Sequence, residues 1–385
     1  MPDIDPAPLF EPYRIRDIEL KNRFVMPSMT TFSAPNGCPS PANAEYYRAR
    51  VEGGTPFIIG GGSIDHPSST WHSDFARFTP ESADGWRRIA EEVHAAGGVF
   101  LAQLQHEGAI RQEGKGGPDP SAPTISPSGL CQKDNANGRS ATDSDLEELK
   151  EAYARTAQLA IEAGADGVEF HSAHGYLLDQ FLWAETNVRE DSYGGSMMEN
   201  RVRFPAELVA AVRHAIGPKP IISIRFSQWK EIDYHAKIFQ TPDDLQIFVR
   251  ALEAAGVDIF HASTRRFFLP EWPESPLSLA GWTRSMTDRT VITVGSVGLD
   301  VDLMNNLFGG QEATNAIEKN LGALVEQFNA GHFDLVAIGR SNLSDPDWVN
   351  KVKAGRFSEI KPFERHILEE MLAGWDPGLI VEAHA

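Results

Sequence analysis

The sequence predicts an α/β fold, a closed (β/α)8 TIM barrel, and two observations support this prediction. Eight short apolar runs typical of buried parallel strands recur along the 385 residues, and helical patterns separate them. The Gly-rich G-x-G-x-x-G turn that an open doubly wound sheet would carry after an early strand is not found in that context. Composition does not shift along the chain, so residues 1–385 are expected to form a single barrel domain.

The predicted strands are apolar nearly throughout, as strands buried on both faces of a sheet are. They span residues 22–29, 56–63, 98–105, 167–171, 220–226, 258–263, 291–295 and 335–339. Residues 9–23 alternate around a short turn, which predicts an N-terminal hairpin that closes the bottom of the barrel. After the third strand, a Gly-, Pro- and Ser-rich segment up to residue 142 lacks periodicity and predicts an ordered, lid-like loop.

Four amphipathic helices are indicated by apolar residues that recur three and four positions apart. Their stripes begin at Trp86, Leu146, Leu245 and Ile317. Ser144 and Glu147 have the spacing of a capping box, and Thr241 followed by Pro242 marks another helix start. The glycines that follow helical stretches and precede strands are Gly97, Gly164, Gly217, Gly256 and Gly331.

The composition excludes several classes of function. A net charge of −19 argues against a nucleic-acid backbone or an anionic membrane as partner. Two cysteines, Cys38 and Cys131, cannot supply a four-thiolate metal or iron–sulfur site. The N-terminus lacks a secretory signal, and no apolar run approaches the ~20 residues of a membrane span. We therefore expect a cytoplasmic protein, and a homo-oligomer is compatible with the sequence.

The residues at the C-terminal strand ends are the candidates for the active site, because TIM barrels assemble their sites there. The residues expected at this end of the barrel are Met29, Thr30, Gly62, Gln103, His106, His171, His174, Tyr176, Arg225, His261, Gly295, Ser296, Gly339 and Arg340. The last two strands are followed by the pairs Gly295-Ser296 and Gly339-Arg340, which favour a phosphate site. The alternative is that these glycines only allow tight turns, but a charged Arg340 at a strand end needs a partner.

Gln103 and Arg225 are expected to face the mouth of the barrel from the third and fifth strands. Both suit a flavin ring, because Gln can bind its amide-like edge and Arg can stabilise the negative charge of the reduced ring. The alternative for Arg225 is an internal ion pair, for instance with Glu169.

The segment around His171, His174 and Tyr176 carries the strongest chemical signal. Two imidazoles and a phenol can bind an oxyanion and deliver a proton. The competing interpretations are a metal site, with His106 or His261 as third ligand, and a histidine that is simply a satisfied core residue. The residues alone rank the metal and oxyanion interpretations almost equally.

A longer match favours the oxyanion interpretation. The sequence HSAHGYLLDQFLWAETNVREDSYGGSMMENRVRF resembles the Old Yellow Enzyme family of FMN-dependent ene-reductases. The resemblance extends from LFEPYRIRDIELKNRFVMPSM to AIGRSNLSDPDWVNKV, essentially the whole barrel. One departure is QLQHEGAIR, which displaces the usual arginine of that motif to Arg111.

The resemblance implies a single FMN-binding barrel with noncovalent FMN, reduced by NADPH or NADH in a ping-pong cycle. His171 and His174 match the pair that binds the oxygen of the substrate, and Tyr176 matches the residue that protonates Cα. The loop after the sixth predicted strand places Phe268 or Trp272 near the substrate mouth, where an aromatic ring either packs the rim or contacts the substrate. The residues implied in cofactor binding are Met29, Thr30, Gly62, Gln103, His171, Arg225, Gly295, Ser296, Gly339 and Arg340.

The reaction implied is reduction of the activated C=C bond of a small-molecule enone or nitro-alkene. One alternative keeps FMN but changes the chemistry, for example to oxidative demethylation. A second alternative is a metal-dependent hydrolase built on the histidines. The length and cysteine content lead us to expect none of the iron–sulfur and second flavin domains of larger relatives.

Overall fold

Eight parallel strands close into a barrel in the computed structural model, which describes residues 5–31, 33–307, 309–364 and 366–367. The strands are β1 (Phe24–Met26), β2 (Phe57–Ser63), β3 (Val99–Gln105), β4 (Gly167–His174), β5 (Ile221–Lys230), β6 (Ile259–Ser263), β7 (Thr290–Val294) and β8 (Leu335–Ala337). Each strand pairs with its neighbours in the chain, and β8 returns to β1, where Val336 lies opposite Phe24. The predicted TIM barrel is confirmed.

Helices follow the strands and cover the outside of the barrel. The principal ones are α1 (Pro41–Glu52), α2 (Ala83–Ala95), α3 (Asp143–Glu162), α4 (Arg203–Ile216), α5 (Pro242–Ala255), α6 (Leu279–Met286), α7 (Ile317–Asn329) and α8 (Trp348–Lys353). Further short α-helices span Leu177–Leu182, Met198–Arg201, Leu303–Leu307 and Arg340–Ser344. Single 3-10 turns span Ala7–Phe10, Pro35–Gly37, Pro80–Ser82, Gly108–Ile110 and Phe357–Glu359. Within the described ranges, no helix has the length and apolar composition that a membrane crossing needs.

The apolar stripes of the helices pack against the sheet as predicted, whereas one predicted helix start is wrong. In α2, Trp86 and Val93 are buried on the same face. The capping box of α3 is formed by Thr142 and Asp145, not by Ser144 and Glu147. Thr142 has extended backbone angles and its Oγ1 accepts a hydrogen bond from the Asp145 N–H. Because Ser144 already lies inside the first turn, its side chain cannot cap that turn.

The N-terminal hairpin closes the bottom of the barrel. Strand Tyr13–Ile15 pairs antiparallel with strand Ile18–Leu20. Ile15 and Leu20 are buried in one apolar cluster with residues of the barrel strands, such as Leu101. This end of the barrel is therefore filled by packed side chains, which leaves the other end for chemistry.

The long segment after β3 is ordered. Its short strands pair as Ile125–Ser126 with Arg139–Ser140 and as Leu130–Gln132 with Asn135–Ala136. Arg111 is fully buried within it and donates to backbone carbonyl oxygens, including that of Ala122 at 2.7 Å. Of residues 106–141, all described, only Glu107 lines the cavity at the barrel mouth. A lid function for this segment stays a prediction.

Candidate active site

A cavity of about 240 Å³ opens at the C-terminal ends of the strands. Most of the residues predicted for the site line it, namely Met29, Thr30, Gln103, His171, His174, Tyr176, Arg225, Gly295, Ser296, Gly339 and Arg340. These side chains come from six of the eight strand ends and from the turns that follow them. The topology therefore brings together residues that lie far apart in the sequence.

The structure does not bring Gly62 and Trp272 to this cavity. A Cβ placed on Gly62 would lie 2.9 Å from the Phe78 and Trp86 rings, on the outside of the barrel. A Cβ on Gly61 would instead meet Ser28 Oγ, so strand alternation turns Gly61 toward the site. The Trp272 indole donates to the Gln240 carbonyl oxygen at 3.1 Å and does not line the cavity.

A bulge and a left-handed turn position the two histidines. The pairing between β4 and β5 shifts register between Ser172 and His174. His174 has a φ of 64° and Gly175 a φ of 94°, so the chain reverses within two residues. The Ser227 hydroxyl accepts a hydrogen bond from the His174 backbone N–H at 3.0 Å. Bulges redirect side chains beside active sites, and here the His171 and His174 ring centroids come within 5.3 Å.

Both imidazoles are neutral near pH 7. Burial lowers the pKa of His171 to about 3, and the positive charge of Arg225 contributes. Burial also holds the pKa of His174 well below its ordinary value. His171 Nδ1 is buried without a hydrogen-bond partner among the described residues, whereas His174 Nε2 lies 2.9 Å from Ser263 Oγ. The pair can therefore offer N–H donors to an oxygen in a site of low polarity.

Tyr176 lies directly against this pair, with its ring centroid 4.6 Å from that of His171. Its hydroxyl is 3.5 Å from the Glu231 carboxylate. Sequence analysis missed Glu231 and Trp229, which also line the cavity, and the Trp229 ring stacks on His174 at 4.4 Å. Counting every second residue from Arg225 leads to Trp229 and Glu231, so strand alternation could have predicted that both face the site.

Arg225 and Gln103 sit beside a buried carboxylate. Gln103 Nε2 donates to Glu169 at 2.8 Å, and His261 Nδ1 lies 2.9 Å from the same carboxylate. Burial alone would raise the pKa of Glu169, but His261, Arg225 and Gln103 hold it below its ordinary value. Arg225 donates to the Ser28 carbonyl oxygen at 2.9 Å, while its Nε has no partner among the described residues.

A second set of polar contacts lies in the turns that follow the last two strands. Gly295 has a φ of 149°, and Ser296 has a φ of 50° in the left-handed region. Arg340 Nη2 donates to the Val301 carbonyl oxygen at 2.6 Å and to Ser296 Oγ at 3.3 Å. These bonds fix the guanidinium beside the cavity, where it can also bind an anion.

The third ligands considered for a metal site have other contacts. His106 Nε2 lies 3.2 Å from Ser68 Oγ, and His261 contacts Glu169. Over the described ranges, no group of three or more His, Cys, Asp and Glu side chains is arranged to hold a metal ion.

The sequence pattern of the family described as NADH:flavin oxidoreductase / NADH oxidase family matches residues 8–306. The chain belongs to this family. It is 32% identical over 363 residues to 12-oxophytodienoate reductase 7 of Oryza sativa subsp. japonica, covering 90% of this chain and 88% of that reductase. It is also 32% identical over 367 residues to the NADH oxidase of Thermoanaerobacter brockii, which covers 92% of this chain and 52% of the oxidase. The chain therefore spans about half the length of that relative.

A solved structure supports the same family. The Old Yellow Enzyme from Pichia sp. AKU4542 superposes with a TM-score of 0.75 at 26% identity, covering 94% of this chain and 89% of that one. The resemblance to the Old Yellow Enzyme family is thus confirmed. At the level of the family, so is oxidoreductase chemistry with FMN and with NADH or NADPH as reductant. The roles of individual residues and the reduction of a C=C bond stay predictions.

Proposed function

We propose that the protein reduces the activated C=C bond of α,β-unsaturated carbonyl or nitro compounds. The observation that carries this proposal is the cluster of His171, His174 and Tyr176, which places two neutral imidazoles beside a phenol in one cavity. An enone or nitro-alkene needs both functions, because its oxygen gains negative charge while its Cα gains a proton.

The residues around the cavity fit FMN. Arg225 Nε has no hydrogen-bond partner among the described residues, and Gln103 Nε2 donates to Glu169, which leaves the Gln103 carbonyl oxygen as the group that can accept from a ring N–H. These groups suit the polar edge of the flavin ring. Gly295 and Arg340 suit the phosphate, since one allows close approach of backbone and the other supplies positive charge.

FMN held by these residues would supply the hydride for the reduction. His171 and His174 donate hydrogen bonds to the carbonyl or nitro oxygen and stabilise its developing charge. Tyr176 then gives its hydroxyl proton to Cα, and the phenolate regains a proton from solvent. Because both imidazoles are neutral, they donate hydrogen bonds to the oxygen and do not protonate it.

A visible spectrum of the purified protein tests the proposal. We expect a flavin band that bleaches with anaerobic NADPH or NADH and returns when 2-cyclohexenone is added. A band that bleaches but does not return would contradict C=C reduction and favour another chemistry, such as oxidative demethylation. A protein that shows no flavin band after addition of FMN would contradict the assignment of the cofactor site.

Gly295→Ala should weaken FMN binding. The new Cβ would lie 2.5 Å from the Thr264 carbonyl oxygen, and the φ of 149° disfavours any side chain. A strain of ~1.4 kcal/mol in the bound geometry raises the dissociation constant of FMN about tenfold. Quenching of FMN fluorescence by the apoprotein measures this constant. Gly217→Ala is the matched control, since Gly217 has a φ of 77° with open space around its Cβ, and equal weakening in both variants would refute the assignment.

A further inference from the structure

Glu231 places a second acid-base group next to Tyr176. Its Oε2 lies 3.5 Å from the Tyr176 hydroxyl, and both side chains line the cavity. The Glu231 backbone N–H donates to the His174 carbonyl oxygen at 3.1 Å, which joins the loop after β5 to the histidine turn. The proposed function uses Tyr176 as proton donor and gives Glu231 no task.

We propose that Glu231 is a positioning residue whose own protonation state controls proton donation by Tyr176. This inference rests on the proposed function. When ionised, the carboxylate accepts a hydrogen bond from the phenol and holds the proton on the phenol oxygen. When protonated, its O–H donates to that oxygen and stabilises the negative charge that appears as the proton leaves.

The step at Tyr176 is a proton transfer only. The phenol O–H bond breaks, its electron pair stays on oxygen, and a C–H bond forms with the electron pair at Cα. The phenolate then takes a proton from solvent, which restores Tyr176. Glu231 neither gains nor loses a proton during this step, because it acts through its hydrogen bond and its charge.

The surroundings of Glu231 agree with such a role. Burial raises the pKa of Glu231 to about 7, with Tyr176 and Arg225 acting in the opposite direction. The carboxyl group therefore changes charge in the neutral range. Burial also raises the pKa of Tyr176 well above its ordinary value, and the negative charges of Glu231 and Glu107 raise it further. Loss of the Glu231 charge makes the phenol a stronger acid.

The other ionisable groups that line the same cavity are His72, Glu107, His171, His174, Arg225, Tyr234, Arg265 and Arg340. Burial lowers the pKa of both His171 and His174, so both imidazoles are neutral near pH 7. Glu107 is the alternative source of a pH dependence in this range, because burial raises its pKa to about 8. Its carboxylate, however, is held by the Thr70 hydroxyl and by the Trp71 backbone N–H at 3.0 Å.

The variant Glu231→Gln distinguishes Glu231 from Glu107 as the group that titrates, because a carboxamide offers the phenol an N–H donor at every pH. FMN-loaded protein is reduced, mixed with 2-cyclohexenone, and followed through flavin reoxidation from pH 6 to pH 8. For the wild type we expect the rate to fall about tenfold over this range, as a group with a pKa of about 7 ionises. We expect the rate of Glu231→Gln to stay level across the same range.

Two control variants complete the pH series. Asp233→Asn removes a negative charge from the same loop but outside the cavity, and should keep the wild-type profile. Glu107→Gln should also keep the fall in rate. A fall that persists in Glu231→Gln, or that disappears in Glu107→Gln instead, would overturn the proposal.

A second measurement does not depend on turnover. NMR titration of tyrosine labelled with 13C at Cζ follows the phenol of Tyr176, which is assigned by its loss in Tyr176→Phe. We expect Tyr176 to ionise at lower pH in Glu231→Gln than in wild type, and an unchanged titration contradicts the proposal. A wild-type protein that the enone never reoxidises overturns the proposed function instead, and the NMR titration then still decides what Glu231 does.

Discussion

Tyr176→Phe should slow reoxidation of the reduced flavin by an enone by ~10²–10⁴-fold, the usual contribution of a general acid. The phenyl ring keeps the packing against His171, whose ring centroid lies 4.6 Å away, and only the proton donor is lost. Reduction of the flavin by NADPH or NADH needs no proton from Tyr176 and should change little. Stopped-flow absorbance of the two half-reactions, measured separately, gives both rates.

Tyr193→Phe is the matched control for this variant. The Tyr193 hydroxyl donates to Glu207 at 3.1 Å and lies outside the cavity, so its removal should affect neither half-reaction. Equal losses in the two half-reactions of Tyr176→Phe would mean that the residue shapes the cavity and does not donate the proton.

Lys230→Met should have the largest effect on stability. Lys230 Nζ lies 2.9 Å from Asp179, and both side chains are 0% exposed. Lys230 also donates to the Gln228 carbonyl oxygen at 2.8 Å. Without the ammonium, the Asp179 charge is buried and unpaired, which lowers the free energy of unfolding by ~3–5 kcal/mol. Urea unfolding followed by tryptophan fluorescence measures the loss.

A double substitution distinguishes an unpaired charge from a general packing defect. Lys230→Met combined with Asp179→Leu removes both charges, so it should recover most of the stability that Lys230→Met loses. Arg14→Met breaks the exposed pair with Glu19 and should cost less than about 1 kcal/mol. A double variant as unstable as the single one would show that shape, and not charge, governs this site.

The sequence predicts local features of this protein well, because they depend on short-range periodicity. The buried faces of α2 and α3 follow from residues three and four apart, and the strands follow from apolar runs. The residues at strand ends follow from the rule for barrels, which is why His171, Arg225 and Gly295 converge on the cavity. The sequence could not show which of Gly61 and Gly62 faces inward, since the alternation along β2 needs a reference residue that faces inward. A role for Gly62 in cofactor binding stays a prediction.

Features that depend on distant contacts could not be predicted. The fifth strand was expected to end at residue 226 but continues to Lys230, because β4 extends through its bulge and places His174 opposite Lys230. This extension carries Trp229 and Glu231 into the site. The path of the loop after β6, which turns Trp272 toward Gln240 and away from the cavity, is likewise set by tertiary packing.

Because FMN binding needs the closed barrel, in which β8 pairs with β1, we expect the amount of folded protein to depend on the supply of flavin. The proposed cofactor site combines Thr30, which follows β1, with Arg340, which follows β8, and the pairing of Val336 with Phe24 brings these two strands together. Under this proposal, a chain that has not closed the barrel lacks the complete site and cannot hold FMN tightly. At 100 times its dissociation constant, a ligand of the folded state alone adds ~2.7 kcal/mol of stability. We thus expect riboflavin starvation to expose this protein to proteolysis, so that its cellular abundance reports on flavin status.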